Sequence, residues 1–199
     1  MPAFYRNAES HLTVDGMPLD GLLAAFGSPL YVYSGAGLQR TLLAFQSAVA
    51  PVLGKVHFAL KANSALGVVA LLARCGAGAD IVSAGELKRA LAAGVVANDI
   101  VFSGVGKSAA DIRAALAAGI GQINAESAAE VNQVSAVAAA MGLVAPVALR
   151  VNVDVDAGTH AKISTGQRST KFGISTDQQE ALTLYKELNF NPNIKPMGL

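Results

Sequence analysis

The sequence has a single cysteine and no cluster of metal-binding side chains. Cys75 stands alone among 199 residues, so no disulfide can form within the chain, and we expect a reducing compartment such as the cytoplasm. The three histidines, His11, His57 and His160, lie far apart and have no cysteine at metal-ligand spacing, which argues against a metal site. His57 alternates with the apolar residues around it and is expected to be a packed histidine.

The sequence also has little net charge and no long apolar run. Fifteen Lys and Arg residues face 14 Asp and Glu residues, a formal charge of +1, which offers no attraction to nucleic acid or an anionic membrane. Gly, Pro or charged residues interrupt every apolar segment before the roughly 18 residues that a membrane span needs. The first residues lack the basic and apolar pattern of a secretory signal. We therefore expect a soluble protein whose partner is a small molecule.

Short apolar, β-branched segments recur along the chain, and their starts lie roughly 21 to 26 residues apart. These segments are residues 56–60, 79–82, 100–102, 121–124 and 147–151. Ala- and Leu-rich segments with helical spacing lie between them. The alternation predicts βα units, and hence a parallel sheet covered by helices.

Helix-start and helix-end residues have a regular pattern. A serine precedes a carboxylate by three residues at each expected helix start, and a glycine follows each of these helices. The pairs are Ser83 with Glu86, Ser108 with Asp111, and Ser127 with Glu130, and the glycines are Gly94, Gly119 and Gly142. We interpret the Glu pairs as capping boxes and Asp111 as a shorter variant. Residues 104–108 lack the full spacing of a phosphate-binding loop and are interpreted as a strand-to-helix turn.

An open doubly wound sheet and a (β/α)8 TIM-type barrel both fit this pattern. We predict the barrel, because five or six similar units follow one another without interruption. A complete barrel needs about 250 residues, so residues 36–199 are expected to form the first part of one, within a longer protein. Residues 1–35, with a hairpin or a strand and turn over 12–19 and a strand over 29–33, are expected to contribute to a β-rich second domain. A helix is predicted over 38–52.

Lys61 directly follows the apolar segment 56–60, at the expected carboxyl end of a strand. Functional groups of parallel βα folds gather at that end of the sheet. An amine in such a place can form a Schiff base with a carbonyl group. The alternative is a scaffold in which Lys61 is a solvated surface charge.

The residues around Lys61 resemble a known family. The segment 58–64 is similar to the aromatic-Ala-x-Lys-Ala-Asn segment of the alanine-racemase-like barrel decarboxylases, which have fold type III. The segment 76–87 resembles the second strand and helix start of the same family. The resemblance implies an alanine-racemase-like barrel, with pyridoxal 5'-phosphate as cofactor, bound by Lys61 as a Schiff base.

A later segment narrows the resemblance. Residues 150–160, followed by 163–166 and 171–174, are similar to the loop after the fifth strand of diaminopimelate decarboxylases. Ornithine and arginine decarboxylases share the lysine segment and lack this Asp-rich, His-containing stretch. The resemblance implies a carboxy-lyase of lysine biosynthesis that converts meso-diaminopimelate to L-lysine. The alternatives are an ornithine or arginine decarboxylase, an alanine racemase, and a non-catalytic protein that binds pyridoxal phosphate.

The same resemblance implies roles for individual residues. Lys61 is the catalytic residue and binds the cofactor, and Ala59 packs beside the cofactor. Asp80 lies near the imine, and Arg150 lies near the pyridine ring. The alternatives are a carboxylate at a helix N-terminus for Asp80 and a salt bridge in the barrel mouth for Arg150. His160 is expected near the substrate. Family members share their active sites between the subunits of a homodimer, and we expect the same here.

Overall fold

The chain begins with a small antiparallel sheet, followed by repeated βα units. The computed structural model describes residues 2–152, 173–175 and 179–199. The first sheet contains β1 (Phe4–Arg6), β2 (Leu12–Val14) and β3 (Met17–Pro18), in that order. Of the two forms that the sequence allows over 12–19, the hairpin is the one present, since β2 and β3 pair antiparallel. The assignment of residues 1–35 to a second domain stays a prediction.

Most of the remaining strands form one parallel sheet. The strands in chain order are β4 (His57–Ala59), β5 (Gly78–Ile81), β6 (Ile100–Phe102), β7 (Gln122–Ala125), β8 (Ala145–Leu149), β9 (Val151–Asn152), β10 (Ile174–Ser175) and β11 (Ile194–Gly198). Six of them make the sheet β4-β5-β6-β7-β8-β11, and β9 pairs separately with β10. A doubly wound sheet reverses its strand order at a switch point, whereas here the order across the sheet follows the chain. The sheet is therefore the wall of an incomplete (β/α)8-type barrel, as predicted.

The described helices are α1 (Leu19–Phe26), α2 (Gly35–Val49), α3 (Leu66–Arg74), α4 (Ala84–Ala92), α5 (Ala109–Ala118), α6 (Ala128–Met141) and α7 (Glu180–Leu188). The helix α1 contacts β2 and β3 of the first sheet, and the later helices form one layer against the parallel sheet. Each of α2 to α5 contacts the next helix along the chain, as in the outer ring of a barrel. Short 3₁₀ turns cover Ala50–Val52, Leu60–Ala62 and Ala97–Asp99. In the part of the chain that the structure describes, no helix has the length and apolar character needed to cross a membrane.

Serine caps and glycines set the helix boundaries where the sequence places them. The hydroxyls of Ser83, Ser108 and Ser127 accept the backbone N–H groups of the residues three positions later. Glycines in the left-handed region follow the same helices: Gly94 (φ 87°), Gly119 (φ 70°) and Gly142 (φ 65°).

The capping carboxylates differ from the prediction. Asp111 forms the full reciprocal box, since its carboxylate accepts the backbone N–H of Ser108. The Ser108 hydroxyl, which also donates to this carboxylate, is the main cause of the lowered pKa of Asp111. Glu86 and Glu130 instead accept N–H groups one residue before the serine, because the longer glutamate side chain reaches further back. Asp111, interpreted from the sequence as a shorter variant, is therefore the residue that completes a reciprocal capping box.

The two faces of the parallel sheet have different chemistry. Ile81, Phe102, Ile123 and Val147 are register partners across four strands, are each at most 1% exposed, and belong to the core against the helices. Their neighbours alternate to the opposite face, because successive side chains of a strand point in opposite directions. That opposite face is the barrel interior. There, Ala59, Asp80, Val101 and Gln122 are register partners in one row.

The segment before α2 departs from the prediction. Residues 29–33 form no strand, and Tyr31 is 85% exposed. Pro29 has no N–H to donate, and no described strand offers this segment a partner, so β-propensity alone does not make it a strand. The helix predicted over 38–52 begins earlier, at Gly35, because Ser34 caps it. Asp15, in the β2–β3 turn, accepts hydrogen bonds from the Ser34 hydroxyl (2.7 Å) and the Ala36 N–H (3.2 Å), so the hairpin is tied to α2.

Candidate active site

Lys61 lies where the sequence predicts, immediately after the carboxyl end of a strand. β4 ends at Ala59, and the following 3₁₀ turn contains Lys61. Leu60, beside it, is 1% exposed and fixes the turn against the core, whereas the lysine side chain is exposed. The Asn63 side chain accepts the Ala65 N–H at 3.0 Å and leads the chain into α3. An amine held on a fixed turn, open to solvent, is available to a carbonyl compound.

Asp80 lies in the neighbouring strand and is short of hydrogen-bond donors. It is the register partner of Ala59, so it faces the barrel interior one strand away from the lysine turn. Its Oδ1 atom is buried and has no hydrogen-bond partner among the described residues. The alternative role at a helix N-terminus is wrong, because Asp80 lies inside β5 and α4 begins only after the Ser83 cap.

This unsatisfied oxygen tests whether the site fits the expected cofactor. A buried carboxylate oxygen without a donor is costly, and native structures rarely keep one without a reason. A protonated nitrogen joining Lys61 to an aldehyde is a cationic donor of the kind that Asp80 lacks. The donor set therefore fits pyridoxal phosphate linked at Lys61.

Arg150 follows β8 and forms a salt bridge at the barrel mouth. Its backbone N–H donates to the carbonyl of Ala125 at 2.8 Å, which extends the ladder of β7 and β8. Its guanidinium Nη1 lies 2.8 Å from Glu126 Oε1, and the arginine side chain is 38% exposed. The salt bridge that the sequence left open as an alternative is therefore present. The expected contact of Arg150 with the cofactor ring stays a prediction.

A polar row inside the barrel was not foreseen from the sequence. The Gln122 amide donates to the Asn124 side chain at 2.7 Å, and the Asn124 amide donates to the Ser103 hydroxyl at 3.1 Å. Gln122 and Asn124 alternate with the fully buried Ile123 and Ala125 of the same strand. That alternation was the available clue, because polar residues at every second position of a buried strand face the other side of the sheet.

The structure places only some of the remaining candidates. His57 is half-buried in β4, opposite Gly78, and an added Cβ on Gly78 would lie 2.5 Å from the His57 ring carbon Cδ2. The His57 ring therefore lies close to the Gly78 backbone, which agrees with the prediction of a packed histidine. His160 lies outside the described residues, as does most of the loop that the sequence assigns to the substrate. Within the described ranges, no group of three or more His, Cys, Asp and Glu side chains could hold a metal ion.

Comparisons with known proteins agree with this geometry. Residues 36–199 match the family model described as "Pyridoxal-dependent decarboxylase, pyridoxal binding domain". A curated diaminopimelate decarboxylase from Pseudomonas aeruginosa is 51% identical over 178 residues, which cover 89% of this chain and 42% of that protein.

Two solved structures, both in complex with L-lysine, are also similar. The diaminopimelate decarboxylase of M. jannaschii superposes with a TM-score of 0.90 at 31% identity, covering 98% of this chain and 46% of that one. The Helicobacter pylori enzyme superposes with a TM-score of 0.86 at 37% identity, covering 90% of this chain and 45% of that one. The chain therefore spans slightly less than half the length of the relatives it matches.

Proposed function

Because the chain belongs to the pyridoxal-binding domain family of the pyridoxal-dependent decarboxylases, we propose that it is the lysine-bearing half of a diaminopimelate decarboxylase. The proposed reaction removes carbon dioxide from meso-2,6-diaminopimelate and gives L-lysine. The observation that carries the proposal is the position of Lys61 on a fixed turn, one strand from the unsatisfied carboxylate of Asp80. Relatives at 45–51% identity with this named activity support the choice of substrate.

The proposed chemistry divides between cofactor and protein. When bound, pyridoxal phosphate supplies the electron sink that accepts the electron pair left behind as the carboxylate departs. Lys61 would hold the cofactor through its Nζ atom, on the turn that follows β4. The same amine would exchange with the amines of the substrate and of the product.

Two neighbours of Lys61 prepare the site. Asp80 would accept, on Oδ1, a hydrogen bond from the Lys61 nitrogen that holds the cofactor, and its negative charge would favour a proton on that nitrogen. Ala59 has a side chain small enough to leave room for a planar ring in the same row of the barrel interior. We place the Arg150 guanidinium beside the pyridine ring, at the carboxyl end of β8.

We also propose that the complete protein closes the barrel and works as a cytoplasmic homodimer with shared active sites. Among the described residues, β4 pairs on one side only, with β5. An apolar cavity of about 710 Å³ lies against β4, lined by side chains that include Phe45, Val56 and Phe58. The strands and helices of a complete barrel fit an unpaired edge of this kind.

Release of carbon dioxide from a panel of diamino acids tests the proposal. The full-length protein is supplied with pyridoxal phosphate and then with meso-diaminopimelate, ornithine, arginine or lysine. We expect turnover of meso-diaminopimelate at least 100-fold above that of the others, with L-lysine as the product. Equal or greater turnover of ornithine or arginine would assign the protein to another branch of the family. Binding of the cofactor without release of carbon dioxide from any substrate would make it a non-catalytic carrier.

A further inference from the structure

Glu126 lies between β7 and α6, and its carboxylate joins two separate parts of the barrel mouth. Oε1 accepts a hydrogen bond from Arg150 Nη1 at 2.8 Å, and Oε2 accepts one from the backbone N–H of Gly173 at 3.2 Å. The Glu126 side chain is only 7% exposed. One buried carboxylate therefore contacts both Arg150, after β8, and Gly173, directly before β10.

The position of Gly173 is fixed on its other side as well. The Ile174 N–H donates to the Arg150 carbonyl at 2.8 Å, and β10 pairs with β9 from that point. Gly173 has φ +81°, and an added Cβ would lie 3.0 Å from the Arg150 carbonyl oxygen. Arg150 and Gly173 are thus close neighbours, and Glu126 bonds to both.

A buried ion pair holds Glu126 in its turn. The Glu126 backbone N–H donates to Glu130 Oε2 at 2.8 Å, and Lys107 Nζ lies 2.7 Å from Glu130 Oε1. The Lys107 side chain is 1% exposed and that of Glu130 is 11% exposed. Lys107 Nζ also donates to the carbonyls of Gly104 and Asn124, each at 2.7 Å. An ammonium group has three N–H bonds, and Lys107 has an acceptor for each of them. Lys107 therefore serves as a structural cation.

The other helix starts show that capping does not require an acid at position 126. The residues directly before the capping serines are Val82, Lys107 and Glu126. At the start of α4, Glu86 accepts the N–H of Val82 at 2.7 Å, just as Glu130 accepts that of Glu126. A valine therefore suffices for this helix start. The carboxylate of Glu126 serves the contacts with Arg150 and Gly173.

We propose that Glu126 is a positioning residue for the cofactor site, with Lys107 and Glu130 holding it in place. Its carboxylate fixes the guanidinium of Arg150 at the cofactor ring and also holds Gly173, directly before β10. A carboxylate on one nitrogen of the planar guanidinium restricts the plane of the whole group. The inference rests on the proposed function, because it requires Arg150 to face the cofactor.

The test compares wild-type full-length protein with Glu126→Gln, a change that keeps the size of the side chain and removes its charge. Cofactor affinity is measured by spectroscopic titration of the cofactor-free protein with pyridoxal phosphate. Amide hydrogen exchange of the peptide containing Gly173 and Ile174 is measured without cofactor. We expect the cofactor Kd to rise about 10-fold, because the ion pair with Arg150 becomes a hydrogen bond to an uncharged amide. We also expect faster hydrogen exchange at this peptide.

Two further comparisons separate positioning from general loss of structure. Glu126→Gln added to Arg150→Met should raise the cofactor Kd by less than about 2-fold, since the effect passes through the arginine. Glu86→Gln is the control for weakening a single bond from a carboxylate to the backbone, because Glu86 accepts the Val82 N–H at the start of α4 as Glu126 accepts the Gly173 N–H. It should leave the cofactor Kd unchanged.

Each result has one meaning. A wild-type protein that binds no pyridoxal phosphate overturns the proposed function itself. A wild-type protein that binds it, with an unchanged Kd in Glu126→Gln, overturns the positioning role whatever the exchange data show. An undiminished effect of Glu126→Gln in the Arg150→Met background also overturns it. The expected pattern supports the positioning role: Glu126→Gln raises the cofactor Kd, and this rise is absent in the Arg150→Met background.

Discussion

Ala59 and Asp80 are register partners on the adjacent strands β4 and β5, and the turn that bears Lys61 begins directly after Ala59. The pairing sets a carboxylate beside the lysine turn on the inner face of the barrel. Its Oδ1 atom is buried without a hydrogen-bond partner among the described residues. The fold thus keeps an unsatisfied acceptor one strand away from the turn that bears Lys61.

This relationship predicts opposite effects of Asp80→Asn with and without cofactor. A neutral amide costs less to bury than an unsatisfied carboxylate, so the cofactor-free variant should be more stable by about 1 kcal/mol. The cofactor-bound variant lacks the negative charge that holds the proton, so the cofactor Kd should rise about 10-fold or more. Urea unfolding of the cofactor-free protein and spectroscopic titration measure the two effects.

Asp99→Asn is the control for Asp80→Asn. Asp99 pairs with Lys55 at the surface, so its substitution should change stability by less than about 1 kcal/mol and leave cofactor affinity unchanged. A lower stability of cofactor-free Asp80→Asn, together with unchanged affinity, would show that Asp80 has a structural role alone.

A second prediction concerns Gly121, directly before β7, which closely approaches the 3₁₀ turn before β6. An added Cβ on Gly121 would lie 2.1 Å from the backbone oxygen of Asn98, and backbone cannot move aside cheaply. Gly121→Ala should therefore destabilise the protein by roughly 1–3 kcal/mol. Gly67, in α3, has open space around its Cα, so Gly67→Ala should stabilise it by up to about 1 kcal/mol. Thermal unfolding of both variants measures the contrast, and equal melting temperatures would contradict the packing described.

A third prediction concerns acid stability. The hydrogen bonds from the Ser108 hydroxyl and N–H lower the pKa of Asp111 in the folded protein below its ordinary value of 3.8. A carboxylate with a lowered folded pKa contributes stability above the unfolded pKa, and this contribution is lost as the pH falls through the folded pKa. The wild type should therefore lose more stability than Asp111→Asn between about pH 5 and pH 2.

Urea unfolding at a series of pH values measures this difference. Ser108→Ala, which removes the hydroxyl donor and leaves the carboxylate, should reduce the same slope while lowering stability at neutral pH by about 1 kcal/mol. Parallel stability curves for the wild type and Asp111→Asn would contradict the role of this cap.

The repeated elements of the fold could be predicted because their causes are local. The capping serines, the left-handed glycines and the apolar strand segments each act within a few residues, and the structure places them as expected. The prediction of a strand over 29–33 was wrong because a strand needs a pairing partner, and the local sequence does not show whether one is present.

The site could be predicted only in part. Lys61 was found from its place after a strand and from the motif around it. The contacts of Glu126 with Arg150 and of Lys107 with Glu130 span about two dozen residues of sequence and depend on side-chain reach across the barrel mouth. Sequence spacing does not predict such contacts, because the arrangement of the whole sheet determines where the loops that carry these residues lie.

The covalent attachment of pyridoxal phosphate to Lys61 is the central claim, and borohydride reduction followed by peptide mass mapping tests it most directly. In full-length protein loaded with the cofactor, we predict a reduced adduct on the peptide that contains Lys61. Lys61→Ala should lose both the adduct and at least about 1,000-fold of the turnover. Lys88→Ala, at an exposed lysine of α4, should keep both. An unmodified Lys61 peptide, or near-normal turnover in Lys61→Ala, would contradict the account.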